Sequence, residues 1–174
     1  MQDFVHLHVH TQYSLLDGQA SVARLVDKAM KNGMKGIAVT DHGNMFGIKE
    51  FTNYVNKKNS GPKGEIKDLK KRIAGIEAGT VECEDKEAEI AACKAKIVEA
   101  ENKLFKPIIG CEMYVARRTM DLKEGKPDQS GYHLIVLAKN EKGYHNLIKL
   151  VSHAWTRGYY MRRRTDRSEL ERYH

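Results

Sequence analysis

The chain predicts an α/β fold, with strands and helices alternating along the sequence. Apolar runs suited to strands stand at residues 36–40, 106–116 and 132–138. Helical spacing of apolar residues follows or separates them. Such alternation builds βαβ units and hence a parallel sheet or barrel. Residues 58–105 break the rhythm with helical periodicity alone, and read as an inserted helical hairpin.

The elements follow in order. Residues 4–10 alternate apolar residues with His6, His8 and His10, which predicts a first strand presenting all three imidazoles on one face. Ser21 is placed to cap a helix through Val22, Leu25, Val26, Ala29 and Met30, with Gly33 as its stop. Residues 36–40 (GIAVT) predict a buried parallel strand, ending in Asp41-His42-Gly43-Asn44. A second helix is expected from Phe46 to about Lys57, with Phe51 and Val55 inward.

Residues 59–64 (NSGPKG) read as a linker by composition. Ile66, Leu69, Ile73 and Ile76, then Ile90, Cys93, Ile97, Ala100 and Leu104, predict two amphipathic helices joined near residues 79–85. This pair reads as a solvated arm without chemistry of its own, with a protein-docking role left open. Further strands at 106–116 and 132–138 and a helix over about 142–155 complete the pattern. The tail from Thr156 carries Arg157, Arg162, Arg163, Arg164, Arg167 and Arg172 with Tyr159 and Tyr160. Such a mixture suits phosphate gripping and base stacking, here assigned to Arg162, Arg163 and Arg164, and equally suits a plain solvated surface.

Composition sets the bounds. At 174 residues, 41% hydrophobic, the chain can bury one domain-sized core. No apolar run approaches the ~18–20 residues of a membrane span, and the N-terminus has no signal-peptide pattern. Three cysteines without CxxC spacing read as reduced thiols of a cytoplasmic protein. A net charge of +7 favours polyanionic partners, nucleic acid first.

In βα architectures ligands gather at the C-terminal ends of strands. His8 and His10 end the first predicted strand, Asp41 and His42 the second, Glu112 lies in the third, His133 beside the fourth, and His153 on the next helix. A single such residue is ordinarily a satisfied polar side chain. Several on successive strands point to a site for more than one metal ion. Imidazoles suit Zn²⁺, carboxylates suit Mn²⁺ or Mg²⁺, and the two oxygens of Glu112 suit a bridge. A zinc-like ion brings its water to a pKa near ~7, and paired ions stabilise both oxygens of a phosphoester displacement. No Ser/His/Asp or Cys/His arrangement and no glycine-rich phosphate loop stands out.

These residues resemble the PHP (polymerase and histidinol phosphatase) family. Within it, they are similar to the branch at the N-terminus of bacterial replicative polymerase alpha subunits (DNA polymerase III). The resemblance rests on residues 4–11 (FVHLHVHT) with 14–18 (SLLDG), and on 38–47 (AVTDHGNMFG) and 106–112 (KPIIGCE). It continues through 132–138 (YHLIVLA), 146–152 (NLIKLVS), Ala154-Trp155, Arg157 and Gly158. The fold it implies is a partial, distorted (β/α)7 barrel, with barrel segments at 1–57 and 106–156, the hairpin at 58–105, and an arginine-rich tail at 157–174. It implies up to three divalent ions (Zn, Mn, Fe or Mg) on His8, His10, Asp17, His42, Glu112, His133 and His153. His6 is expected below the metals, and His145 is expected to be a surface or structural residue.

The family completes its site with a late Cys or His and a final Asp-x-His pair; after His153 this sequence has no cysteine and no Asp-x-His, and its one further histidine is His174 at the end. The resemblance therefore implies a fragment of a polymerase subunit, without the polymerase active site. DNA and other replicative holoenzyme subunits, including a proofreading exonuclease subunit, are the partners it implies. Three readings follow: a metal-dependent phosphoesterase or ancillary 3′–5′ exonuclease, a metal-stabilised structural module, and a histidinol-phosphatase-type enzyme.

Overall fold

In the computed structural model, which describes residues 4–129 and 131–174, the chain forms two compact units. One comprises the chain through Thr52 together with Pro107–His174, and the other comprises Asn53–Lys106. Helix α1 (Val22–Lys31) starts at Ser21, whose hydroxyl accepts the Arg24 N–H, and Gly33 beyond it takes φ +75°. A left-handed residue just past a helix suits glycine, which has no Cβ to clash. Val22, Val26 and Ala29 recur at helical spacing and are buried on the side of α1 that packs on β1 (Gly36–Val39), itself wholly buried. Helix α2 (Ile48–Lys58) buries Phe51 and Val55, the two positions its periodicity selects.

In the second unit, α3 (Ser60–Glu77) packs along α4 (Lys86–Asn102). The expected linker at 59–64 is not one, because α3 has already begun at Ser60. Instead of ending a helix freely, Asn59 is buried and exchanges two hydrogen bonds with the Phe105 backbone, at 2.8 and 2.9 Å. Ile76, Cys93 and Ala100 are the buried positions of the helix pair, and Asp85 caps α4 by accepting the Ala88 N–H at 3.0 Å.

Strand β2 (Lys106–Ala116) organises the rest of the first unit. After the four-residue α5 (Lys126–Gln129), β3 (Gly131–Leu137) returns antiparallel to β2, from Gly110 opposite Leu137 to Ala116 opposite Gly131. A parallel return was expected. It needs a crossover of a dozen or more residues, usually helical, and the described part of this connection offers only α5. Along the other edge of β2 the pairing is parallel. The Glu112 N–H donates to Asp41 O, and the Gly43 N–H donates to Glu112 O.

Helix α6 (Glu141–Thr156), capped by Asn140, lays Leu147, Leu150, Val151 and Ala154 over Cys111 and Met113 of β2. The tail beyond it is not a loose basic segment. It forms β4 (Tyr159–Tyr160), a turn at Met161, β5 (Arg162–Thr165) and α7 (Arg167–Tyr173). β5 pairs antiparallel with β4 and parallel with β2, while Leu170 and Tyr173 of α7 pack onto the α6 core.

Residues 4–10 do not form the expected first strand. Two backbone bonds tie them to the β1 segment, from Ala38 N–H to His6 O and from Thr40 N–H to Val9 O, both 2.9 Å. The N-terminal segment thus advances three residues while its partner advances two. That extra residue breaks the alternation and takes His6 off the face of His8 and His10. No helix among the described residues is long and apolar enough to cross a membrane.

Candidate metal centre

Glu112 sits mid-way along β2, flanked by Cys111 and Met113, which point into the α6 core. Alternation along the strand turns its carboxylate to the opposite face, where it is 3% exposed. Four imidazoles converge on it. His8 Nε2 and His10 Nε2 lie 2.8 and 2.6 Å from Oε2, His42 Nδ1 lies 3.4 Å from the same oxygen, and His133 Nδ1 contacts Oε1. Burial alone would raise the pKa of Glu112. The hydrogen bonds from His8, His133 and His10 and the charge of His42 outweigh it and bring it to about 2. The group is therefore a carboxylate at neutral pH.

Asp17 extends the cluster: its Oδ2 contacts His10 Nδ1 and lies 3.2 Å from His42 Nε2. Burial lowers the His42 pKa, although the charge of Glu112 opposes this, and so favours the neutral imidazole that a metal requires. Three overlapping donor sets result: His8 with His10 and Glu112, His10 with Asp17 and His42, and His42 with Glu112 and His133. Within each set the donor atoms lie within 4.8 Å of one another. His8 Nε2 and His10 Nε2 stand 3.1 Å apart, close to the ~3.3 Å edge of a tetrahedron with zinc–nitrogen bonds of 2.0–2.1 Å. Nitrogen and carboxylate donors at such spacing fit a borderline divalent ion.

The turn carrying Asp17 is held from below by Asp41, a residue that reading the sequence left outside the ligand set. Its buried carboxylate accepts the Thr11 N–H (2.6 Å), the Thr11 hydroxyl (2.8 Å) and the Ser14 hydroxyl (2.7 Å), and Ser14 Oγ accepts the His42 N–H. Gly18 closes the turn where a Cβ would stand 1.9 Å from Thr11 O, so only glycine fits. Tyr114 was also missed. It shares the Glu112 face of β2 by strand alternation, and its hydroxyl lies 3.3 Å from His42 Nδ1. That alternation was available in the sequence.

A family profile decides the kinship: that of the PHP domain matches residues 6–97 and 88–174. The chain belongs to the PHP-domain family. Among curated relatives of this PHP chain, DNA polymerase III subunit alpha of Borreliella burgdorferi is 40% identical over 173 residues, covering 98% of this chain and 11% of the relative. The subunit of the same name from Treponema pallidum is 39% identical, covering 94% and 10%. That from Aquifex aeolicus is 33% identical, covering 99% and 12%. The chain thus spans about a tenth of the length of the curated relatives it matches.

Not every predicted PHP site residue reaches the cluster. His153 lies outside all three donor sets and instead contacts Glu169 of α7, Nδ1 to Oε2, at 2.6 Å. His6 packs edge-on against Phe4, and His145 meets the Glu141 carbonyl on the exposed side of α6. Of the three arginines expected to bind nucleic acid, Arg164 cannot. It is fully buried, with its guanidinium donating to the carbonyls of Gly158, Asp128, Met120 and Leu122 at 2.8–3.1 Å. Gly158 makes this possible, since a Cβ there would meet Arg164 O at 1.8 Å. Arg162 and Arg163 line a cavity of about 580 Å³ together with Asp17, His42, Tyr114 and His133.

Proposed function

We propose that this PHP chain is a metal-dependent phosphoesterase domain of a bacterial replicative DNA polymerase alpha subunit, working in the cytoplasm on nucleic-acid phosphodiesters. The observation that carries the reading is the convergence of His8, His10, His42 and His133 on the two oxygens of Glu112. Those five residues and Asp17 are the ones that would hold two or three divalent ions. Bound there, such ions would polarise a phosphoryl oxygen, supply an activated water and stabilise the leaving oxygen. The chain's own residues set the stage for this. Glu112 contributes a permanent negative charge between the donor sets. Asp41 fixes the Thr11–Gly18 turn and so aims Asp17, and Tyr114 borders His42 where substrate enters. No nucleophilic side chain is required.

Kinship with DNA polymerase III alpha subunits supports the replication setting. In that setting DNA and the other holoenzyme subunits, a proofreading exonuclease among them, are the expected partners. A second reading is favoured by one observation: among the described residues, residues 4–10 meet the β1 segment through two backbone bonds and the Thr40 hydroxyl at Val9, without forming a strand. Ions bridging His8 and His10 to Glu112 would fasten that segment, giving a metal-braced structural module without turnover.

Elemental analysis of the purified chain, beside hydrolysis of a labelled single-stranded oligonucleotide, separates these readings. Phosphoesterase function expects bound divalent metal and hydrolysis, both reduced in Glu112→Gln. Bound metal without hydrolysis favours the structural module. Absence of metal at ligand-saturating concentrations of Zn²⁺ and Mn²⁺ removes both.

A further inference from the structure

We infer that Arg162 and Arg163, but not Arg164, form a two-pronged phosphate clamp at the mouth of the metal-centre cavity, where they position a phosphodiester of a single strand. The inference rests on the proposed phosphoesterase reading and adds to it the residues that would hold the substrate's phosphates.

The arginines of the tail divide by what their donors do. Arg157 pairs with Asp121, Arg167 with Glu171, and Arg172 approaches Glu169, while Arg164 spends its guanidinium on four carbonyls. Among the described residues no carboxylate pairs with Arg162 or Arg163. Both instead lie over aromatic rings. The Arg163 guanidinium carbon is 4.1 Å from the centroid of Trp155, and that of Arg162 is 5.7 Å from the centroid of Tyr114.

Stacking on a ring fixes a guanidinium plane without consuming its N–H donors. Trp155 is itself fixed, because its indole N–H donates to Gly43 O at 2.9 Å. Arg163 Nε is buried with no hydrogen-bond partner.

Position completes the argument. The two side chains border the same cavity as Asp17, His42 and His133, so a phosphate they grip lies beside the donor sets. The two guanidiniums attract an anion, and the donor sets beside them favour one that also coordinates metal. A phosphate does both. Exposed Leu15, Leu16 and Phe46 line the same cavity and offer apolar surface to unstacked bases, which a single strand presents and a duplex does not.

The test measures binding of a short fluorescein-labelled oligothymidylate by anisotropy, across a salt series, in the metal-free 174-residue chain. Arg162→Gln and Arg163→Gln should each weaken binding about tenfold and lower the salt slope by about one. Arg163→Lys, which keeps the charge but loses the fork, should recover the slope and only part of the affinity. Arg167→Gln, on the exposed pair with Glu171, should bind as the unaltered chain does. Near-ultraviolet circular dichroism equal to that of the unaltered chain, and equal metal uptake when separate samples are reloaded, establish that each variant is folded. The clamp is overturned if the unaltered chain does not bind the probe, or if Arg162→Gln and Arg163→Gln bind it with unchanged affinity and slope. If the variants weaken binding but the metal-loaded chain hydrolyses nothing, the clamp stands and the phosphoesterase reading fails.

Discussion

Asp41 holds Thr11 through both of its oxygens, taking the backbone N–H on Oδ1 and the hydroxyl on Oδ2. The residue thereby joins the end of the β1 segment to the turn that delivers Asp17, and it does so without touching a ligand nitrogen. Asp41→Asn would set an NH₂ against donors from Thr11 or Ser14. The expected cost is about 1–3 kcal/mol of stability. Because Asp41 orients ligands from behind, metal affinity should also fall about 10–100-fold. Urea denaturation and competitive chelator titration measure the two effects; an unchanged metal affinity would deny Asp41 its positioning role.

Arg164 is a second structural anchor, in a segment whose composition suggests solvent. Replacing it by Met leaves four buried carbonyls facing an apolar chain. We expect a loss on the order of 3 kcal/mol, whereas Arg167→Gln should stay within about 0.5 kcal/mol. Equal midpoints in chemical denaturation would contradict the buried role of Arg164.

Thiol chemistry should divide the three cysteines. Cys111 is fully buried, and burial pushes its thiol up to about 12, so almost none is thiolate at neutral pH. Cys93 is buried in the helix pair, and only Cys83 is partly exposed. Iodoacetamide on the native chain should label Cys83 first, with Cys93 and Cys111 reacting on unfolding. Mass spectrometry showing early Cys111 labelling would mean that the β2–α6 core opens far more often than its packing implies.

Acid should unfasten the C-terminal end through Asp166. Burial opposes its ionisation, but N–H donors from Met120 and Glu169 and the Ser168 hydroxyl outweigh this and hold its pKa below the ordinary carboxylate value of 3.8. A carboxylate whose folded pKa is depressed contributes stability that is present above its unfolded pKa and lost as pH falls through the folded one. The loss therefore begins as pH drops toward 3.8 and continues below it. Asp166→Asn should be less stable near neutrality and show a shallower decline over that acid range. Parallel stability–pH curves for the two proteins would exclude Asp166 as a contributor.

Much of this architecture was legible in the residues. Strand β2 lies where the largely apolar run of residues 106–116 stands, with Glu112 the one charged side chain in its buried middle. His8, His10, His42, Glu112 and His133 come together as the sequence suggested, although the segment carrying His8 and His10 is no strand and Glu112 lies mid-way along β2. What could not be read has physical causes. The first segment looked like a strand because its pattern alternates, but a one-residue slip against β1 is invisible without the partner. β3 runs antiparallel, and here the clue was present: residues 117–129 lack the apolar period of a crossover helix. Arg164 could not be foreseen inside the fold, since its burial depends on carbonyls that separate segments bring together around it. His153 contacts Glu169 outside the cluster, a partner that the sequence gives no reason to single out.

The distance along the chain between His8 and Glu112, 104 residues, has a consequence for biosynthesis. At about 5–20 residues per second, the histidine pair leaves the ribosome roughly 5–20 seconds before the carboxylate that completes its site. For that interval the nascent chain presents two bare imidazoles with no fixed geometry, and any ion they catch is exchangeable. If the cluster holds metal as proposed, selection among competing cations would wait until β2 and β3 have assembled, and the folded sheet, not the first encounter, would determine which ion stays.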